Sequence, residues 1–172
     1  MDTTGWKWFR LDTLFRIDAG HYYYPAEYSD GETPYCSASA ENNGIGKLID
    51  VEPDFDGNQL IIGKIKCPTF YQDSPFCATS DVNVLTPMFK MTPHIALFIA
   101  TIINRSEGYK WNYGRQCRVN DTKQIRIKLP VDTKGDPDYE WMEKYIKETI
   151  IPKMPSRAKL IWGGENLIGA KY

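Results

Sequence analysis

No two cysteines in this sequence stand at CxxC spacing. Cys36, Cys67, Cys77 and Cys117 lie far apart, and only His21 and His94 could join them around a metal. Neither a zinc site nor a disulfide framework is indicated, so the cysteines read as buried thiols in a reducing cytoplasm. Long apolar runs are missing too: the best window, "HIALFIATIIN", is too short to span a bilayer. The opening "MDTTGWKWFR" lacks the apolar segment of a signal peptide. Glycine is nowhere arranged to cradle a phosphate; "GIGKLI" has too few and at the wrong spacing. There is no G-x-S-x-G, no P-loop, and no histidine set beside a nucleophile. These absences argue against a bilayer-spanning helix and a metal centre, and they leave none of the common catalytic frameworks.

The 172 residues are 42% apolar, enough for one domain with an ordinary core. Charge is distributed unevenly. Residues 1–56 hold 4 basic against 11 acidic groups, residues 57–128 hold 10 against 4, and residues 129–172 balance at 7 each. Within "YKWNYGRQCRVNDTKQIRIKLP", residues 109–130, six basic residues meet a single acid, Asp121, beside Trp111 and Tyr113. A polyanion would be drawn to the middle of the chain and repelled from its beginning.

Periodicity predicts mostly strands, with two helices. "WKWFRLDTLFRIDAG" reads as strand, helical turn near Leu11–Phe15, and strand ending at Gly20. "HYYYPAEYSDGET" is a loop broken by Pro25, and its three successive tyrosines cannot all face a core. "TPYCSAS" and "GKLIDV" are extended, joined through Asn42-Asn43-Gly44, which suits positive φ. "NQLIIGKI" is a strand covered on both faces. "TFYQDSPFCAT" predicts a hairpin turning at Asp73-Ser74-Pro75, and "DVNVLTP" a half-buried strand. A helix runs from about Pro93 to Arg105 with Thr92 as N-cap. "KQIRIKLPV" alternates as a strand with one wet, basic face. A last helix starts after Asp136, taken as N-cap with Pro137 at the first position. It shows a stripe of Tyr139, Met142, Ile146 and Ile150, and stops at Pro152.

Two catalytic signatures fail on inspection. "DPDY" at 136–139 is similar to the D-P-P-Y of DNA amino-methyltransferases, but its third position is acidic and no nucleotide loop precedes it. "EPDFDGNQLIIGKIK" has Asp54, Lys64 and Lys66, yet no acid stands two before either lysine, as a PD…(D/E)xK nuclease requires. In contrast, four blocks in order resemble the target recognition domain of restriction-modification specificity subunits. They are "YCSASAENNGIGKLIDVEP", "NQLIIGKIKCPTFYQDSPFCATSDVNVLTP", "IATIINRSEGYKWNYGRQCRVNDTKQIRIKLP" and "PDYEWMEKYIK". The kinship is to type I S subunits and related type IIG (BcgI-like) enzymes, and it covers about Trp6 to Lys147.

The resemblance implies an α/β (α+β) domain, a twisted, partly barrel-like sheet with packed helices and a short C-terminal helix. It divides the chain into a target recognition domain (1–137), a closing helix (138–151), and a tail or linker (152–172). The implied function is sequence-specific recognition of double-stranded DNA with no catalysis and no cofactor of its own. A methyltransferase subunit or domain would bind S-adenosylmethionine, and a restriction or motor subunit can join. Complete S subunits carry two such domains and long spacer helices. This chain is therefore a stand-alone protein, a half-subunit that pairs with itself through the C-terminal helix, or a piece of a larger enzyme. Its expected setting is the cytoplasm, of bacterial, archaeal or viral origin, with no membrane partner. The other open reading is a protein-interaction or decoy module that docks a methyltransferase without binding DNA.

Phosphate contacts position a protein on DNA and base-edge contacts select the sequence. The phosphate candidates are Lys64 and Lys66, read as lying on a strand, with Lys110, Arg115, Arg118, Arg126 and Lys128. Arg115 leads this group, because Gly114 lets the backbone approach and a guanidinium reads guanine bidentately. The base-reading candidates are His21, Tyr22, Tyr23 and Tyr24 in the first loop, Gln72 at the expected hairpin tip, and Asn112, Tyr113 and Gln116 beside Arg115.

Overall fold

A computed structural model describes residues 2–156. The chain opens with β1 (Lys7–Arg10), a 3-10 turn (Leu11–Thr13) and β2 (Phe15–Ala19). β3 (Asp30–Cys36) and β4 (Ile45–Ile49) follow the tyrosine loop. Next come β5 (Gln59–Gly63), β6 (Thr69–Gln72), β7 (Cys77–Ala78) and β8 (Val82–Pro87). Helix α1 (Pro93–Glu107), the short α2 (Val119–Gln124), β9 (Arg126–Leu129) and α3 (Tyr139–Tyr145) complete the order. The fold class is mixed α and β, as expected. Among the described residues the strands form three open sheets: a ribbon β1-β9, a four-stranded sheet β2-β8-β5-β6, and a three-stranded sheet β4-β3-β7.

The four-stranded sheet is the middle layer, and side-chain alternation divides its residues between two cores. Leu60, Ile62 and Leu85 point to the side where α1 packs with Ile95, Ile99 and Ile103. Ile61, Val82 and Val84 point the other way, against Cys36, Ile45 and Phe76 of the three-stranded side. That arrangement explains the unbroken apolar run of β5. It also corrects the reading of β8 as half-buried: Val82, Asn83, Val84 and Leu85 are all fully buried, because β8 lies between β2 and β5 with a core on each face.

Helix α1 is capped as its sequence predicts, Thr92 Oγ1 accepting from Ile95 N with Pro93 at the first position. The Asn42-Asn43-Gly44 turn takes three successive positive φ values of 48°, 53° and 78°. Asn43 Nδ2 ties it to Tyr71 O, and a Cβ at Gly44 would meet Ile61 Cδ1 at 2.8 Å.

Four expectations change. Residues 69–78 form no hairpin: β6 pairs with β5, whereas β7 crosses to the other sheet and pairs parallel with β3. Residues 119–124 form helix α2, so Lys123 and Gln124, expected to open a strand, are helical and β9 begins only at Arg126. Lys64 and Lys66 sit in a turn after β5, not on a strand. The last helix is capped by Asp138, whose carboxylate accepts from Trp141 N at 2.9 Å. Asp136 is instead held in the preceding turn, where its N–H donates to Asp132 Oδ1 and its carbonyl accepts from Asp132 N. α3 continues through a π-turn (Ile146–Ile150) into a 3-10 turn (Ile151–Lys153) that contains Pro152. Its Trp141–Tyr145 face packs on the domain itself: the two rings stack at 5.1 Å, and Trp141 meets Trp6 and Phe98 edge-on. From residue 157 onward the expected tail lies outside the described residues. No helix among the described residues is long and apolar enough to cross a membrane.

Candidate nucleic-acid interface

The basic loop that leaves α1 is built around one buried acid. Glu107 is 2% exposed; its carboxylate accepts from Lys110 Nζ at 2.7 Å and from Trp111 Nε1 at 3.2 Å. This fixes the Trp111 indole as the floor of the loop, and the Arg115 guanidinium lies over that ring at 4.9 Å. Between them the chain makes a tight turn. Asn112 and Arg115 exchange both backbone hydrogen bonds, and Asn112 Oδ1 accepts from Gly114 N and Arg115 N. Tyr113 stands at the tip, 85% exposed. A Cβ at Gly114 would meet only Asn112 Oδ1, at 3.4 Å, so the space above this backbone is open.

Two backbone bonds lash the loop to the turn after β5: Lys66 N donates to Trp111 O, and Cys117 N to Lys64 O. The turn holds Lys66 and Cys67 at φ of 58° and 47°, a left-handed conformation that non-glycine residues seldom adopt. Behind it the Cys67 thiol is held well above the usual thiol range by its hydrogen bond to Cys117, and by burial. Buried Asn83 anchors the far end, Nδ2 donating to Cys117 O and to Thr122 Oγ1 at 2.8 Å each. A core amide on β8 thus positions the junction of the loop and α2.

The β1-β9 ribbon extends the same face. Its register places Trp8 opposite Lys128 and Arg10 opposite Arg126 on one side, with Phe9 and Ile127 on the other, turned to the core. The wet side therefore carries three cations and a tryptophan that is 62% exposed. Arg10 is paired with Asp12, and Lys128 Nζ donates to Thr3 O. Between the ribbon, the loop and α2 lies a cleft of about 480 Å³, lined by Lys110, Arg115 and Arg126 and by the acids Glu107 and Asp121. Trp8 and Gln124 form part of its wall.

The structure thus brings Lys110, Arg115 and Arg126 to one cleft and ties the turn carrying Lys64 and Lys66 to the same loop. Lys66 and Arg118 are exposed; Lys64 Nζ is bonded to Ser80 O. Three base-reading candidates change status: Gln72, Asn112 and, in the tyrosine loop, Tyr23, which is half-buried with its hydroxyl bonded to Asp54. Gln72 is 4% exposed, and its amide donates to Asn43 O, so it is an interior residue and not a loop tip. Asn112 is exposed, but its amide oxygen is engaged in the turn; bidentate reading of adenine, which needs both ends of the amide, is closed to it in this conformation. Gln116 is half-buried and Tyr113 remains exposed.

The tyrosine loop packs on the three-stranded sheet. Tyr23 N donates to Tyr35 Oη, and Tyr23 Oη donates to Asp54 Oδ1 at 2.7 Å. Desolvation, then the Asp54 carboxylate, holds this phenol above its ordinary range. Tyr22 and Tyr24 meet edge-on at 5.3 Å and stay exposed, as does His21, whose ring packs against Tyr23. This loop and the Lys64 turn flank the same β7-β8 connection: Gly20 N donates to Val82 O, and Lys64 N to Asp81 O. Trp8, Gln124 and Asp121, which line the cleft, were not among the candidates read from the sequence. The alternation in "KWFR" could have turned Trp8 outward, but nothing in the spacing pairs it with β9.

Residues 3–157 match the model of the type I restriction modification DNA specificity domain. The chain belongs to this family. The specificity domain is 30% identical, over 146 residues, to the type II restriction enzyme BgcI specificity subunit S.BcgI of Heyndrickxia coagulans, covering 82% of this chain and 42% of that protein. Its fold is similar to that of the type I restriction-modification S subunit from M. genitalium, with a TM-score of 0.62 at 14% identity over 82% of this chain and 37% of that one. The HsdS subunit from Thermoanaerobacter tengcongensis gives a TM-score of 0.58 at 16% identity over 83% and 36%. The specificity domain spans less than half the length of these relatives.

Proposed function

We propose that this specificity domain recognises a DNA sequence on behalf of a restriction-modification enzyme and has no catalytic step of its own. The observation that carries the reading is the grouping of cations on the 109–118 loop, on the Lys64–Lys66 turn bonded to it, and on the wet side of the β1-β9 ribbon that shares its cleft. Arg115, Arg118, Arg126 and Lys66 neutralise phosphates, Lys128, Lys110 and Lys64 support them, and Tyr113 and Gln116 meet the groove. His21, Tyr22 and Tyr24 extend this face across the β7-β8 connection, and Tyr23 braces them. Residues 1–137 act as the recognition unit and the helix at 138–151 closes it. The chemistry belongs to a methyltransferase partner that binds S-adenosylmethionine, in the cytoplasm, with a restriction or motor subunit joining the assembly and the closing helix available for self-pairing.

A gel-shift titration of duplex DNA at increasing salt tests the reading. Each neutralised phosphate contributes a slope of about −0.9 in log K against log salt, so four to seven contacts predict roughly −4 to −6. Arg115→Ala should weaken binding to the specific site by about 1–3 kcal/mol. Absence of duplex binding at low salt would favour the second reading, a docking module that grips a protein instead of DNA. That alternative is supported by the acids around the tyrosine loop, where Glu27, Asp50 and Asp54 all accept hydrogen bonds.

A further inference from the structure

We propose that the cleft between β1, the 109–118 loop and α2 holds a single unstacked nucleotide, its base against the Trp8 indole and its phosphate between Arg115 and Arg126. The inference rests on the DNA-binding reading of this face and adds a preference for an unpaired position.

Trp8 is the first argument. Tryptophan is rarely left open to water, because its ring is the largest apolar surface a side chain offers. Here it is 62% exposed, and the ribbon register makes that exposure obligatory. Phe9 and Ile127 occupy the core side, so Trp8 can reach the interior only if the strand slips by one residue and turns Phe9 out. An indole fixed on a wet strand beside cations is a stacking platform; base–aromatic stacking needs only the π-face that every base has.

Size and charge are the second. About 480 Å³ lies within the range of sites that hold small organic ligands, and a lone phosphate would leave most of it empty. The wall is also mixed. Lys110 is already paired with Glu107 at 2.7 Å, which leaves Arg115 and Arg126 for an anion. Asp121 faces the same space and repels a bare anion, but it can accept from an exocyclic amine. Gln124 donates its amide to Asn120 O at 3.3 Å, and its carbonyl oxygen is an acceptor for a base edge. A nucleotide with an amino-bearing base satisfies this set; thymine, with no exocyclic amine, does not.

The test is fluorescence anisotropy of the whole chain with labelled DNA at low salt. The probes are a fully paired duplex, the same duplex with one bulged cytosine or one bulged thymine, and five-nucleotide single strands of cytidine or thymidine. The expected result is that the bulged cytosine duplex binds at least fivefold more tightly than the paired one, and the cytidine strand more tightly than the thymidine strand. Trp8→Ala should bring the bulged duplex back to the affinity of the paired one, a loss of fivefold or more, and Trp8→Phe should restore most of it. Arg126→Gln is a second variant on the exposed ribbon face, and it should lose the same preference should Trp8→Ala fail to fold. Equal binding of paired and bulged duplexes, unchanged by these variants, overturns the nucleotide site and leaves duplex recognition intact. Failure of every probe to bind overturns both.

Discussion

Glu107 links the stability of the domain to its charge, and Glu107→Gln separates the two. In the native chain its Oε1 accepts from Lys110 Nζ and its Oε2 from Trp111 Nε1. Glutamine can keep the indole bond through its carbonyl oxygen, but its amide nitrogen then faces the Lys110 ammonium, donor against donor, and the lysine swings out. Breaking a wholly buried pair costs about 3–5 kcal/mol. The Lys110 side chain is 39% exposed, so about 1–3 kcal/mol is expected here, or a drop in Tm of roughly 2–12 °C. DNA affinity should move the other way. A lysine released from its carboxylate can neutralise one more phosphate, steepening the salt slope by about 0.9 and tightening non-specific binding about eightfold at 0.1 M salt. Thermal melts and a salt titration on the same preparation read both effects. Weaker DNA binding with an unchanged slope would refute the idea that Glu107 masks a cation of the DNA face.

Asn83→Ala removes both donors that hold Cys117 O and Thr122 Oγ1, and should cost about 1–3 kcal/mol in a urea titration; its DNA affinity should fall further than its Tm predicts, because the loop loses its anchor. Ile61→Ala opens the core between the sheets and should cost about 2–5 kcal/mol, with DNA binding unchanged at temperatures where the variant is folded. The Asp50 carboxyl lies below its ordinary range because Ser29 donates to it from side chain and backbone. A lowered carboxyl stabilises the fold above its unfolded value near 4 and loses that contribution as pH falls through the folded value. The stability gap between native chain and Asp50→Asn should therefore shrink on acidification below about pH 4; a gap that is constant with pH would remove Asp50 from the pH response.

Local signals were legible where one segment contains its own reason. Thr92-Pro93 announces α1, Asn42-Asn43-Gly44 announces the left-handed turn, and the apolar run of β5 reports two covered faces. The concentration of charge in 109–130 was visible as well. What spacing cannot carry is pairing at a distance. Asp73-Ser74-Pro75 looks like a hairpin turn, but β7 finds a parallel partner in β3, and Gln72 is drawn into the interior by the Asn43 carbonyl. α2 was hidden because Arg118 is a poor cap residue and the alternation of Ile125, Ile127 and Leu129 runs on smoothly from it. Its start rests on Asp121, whose carboxylate accepts from Arg118 N. Asn83 looked like the wet position of a half-buried strand, and only the tertiary structure gives its amide a buried role.

The β1-β9 ribbon also constrains when the binding face can exist during folding. Its register joins Arg10 to Arg126, residues separated by more than a hundred positions. Closing a loop of that length costs about 4 kcal/mol in chain entropy, and few local contacts offset it until both cores are formed. The ribbon should thus be a late event, and on a ribosome it must wait until β9 has emerged. A chain cut short before Arg126 can still bury Leu60, Ile61 and Ile62, yet it cannot set Trp8 beside Lys128. On the proposed reading, competence to grip DNA is a report that the domain has been synthesised through β9.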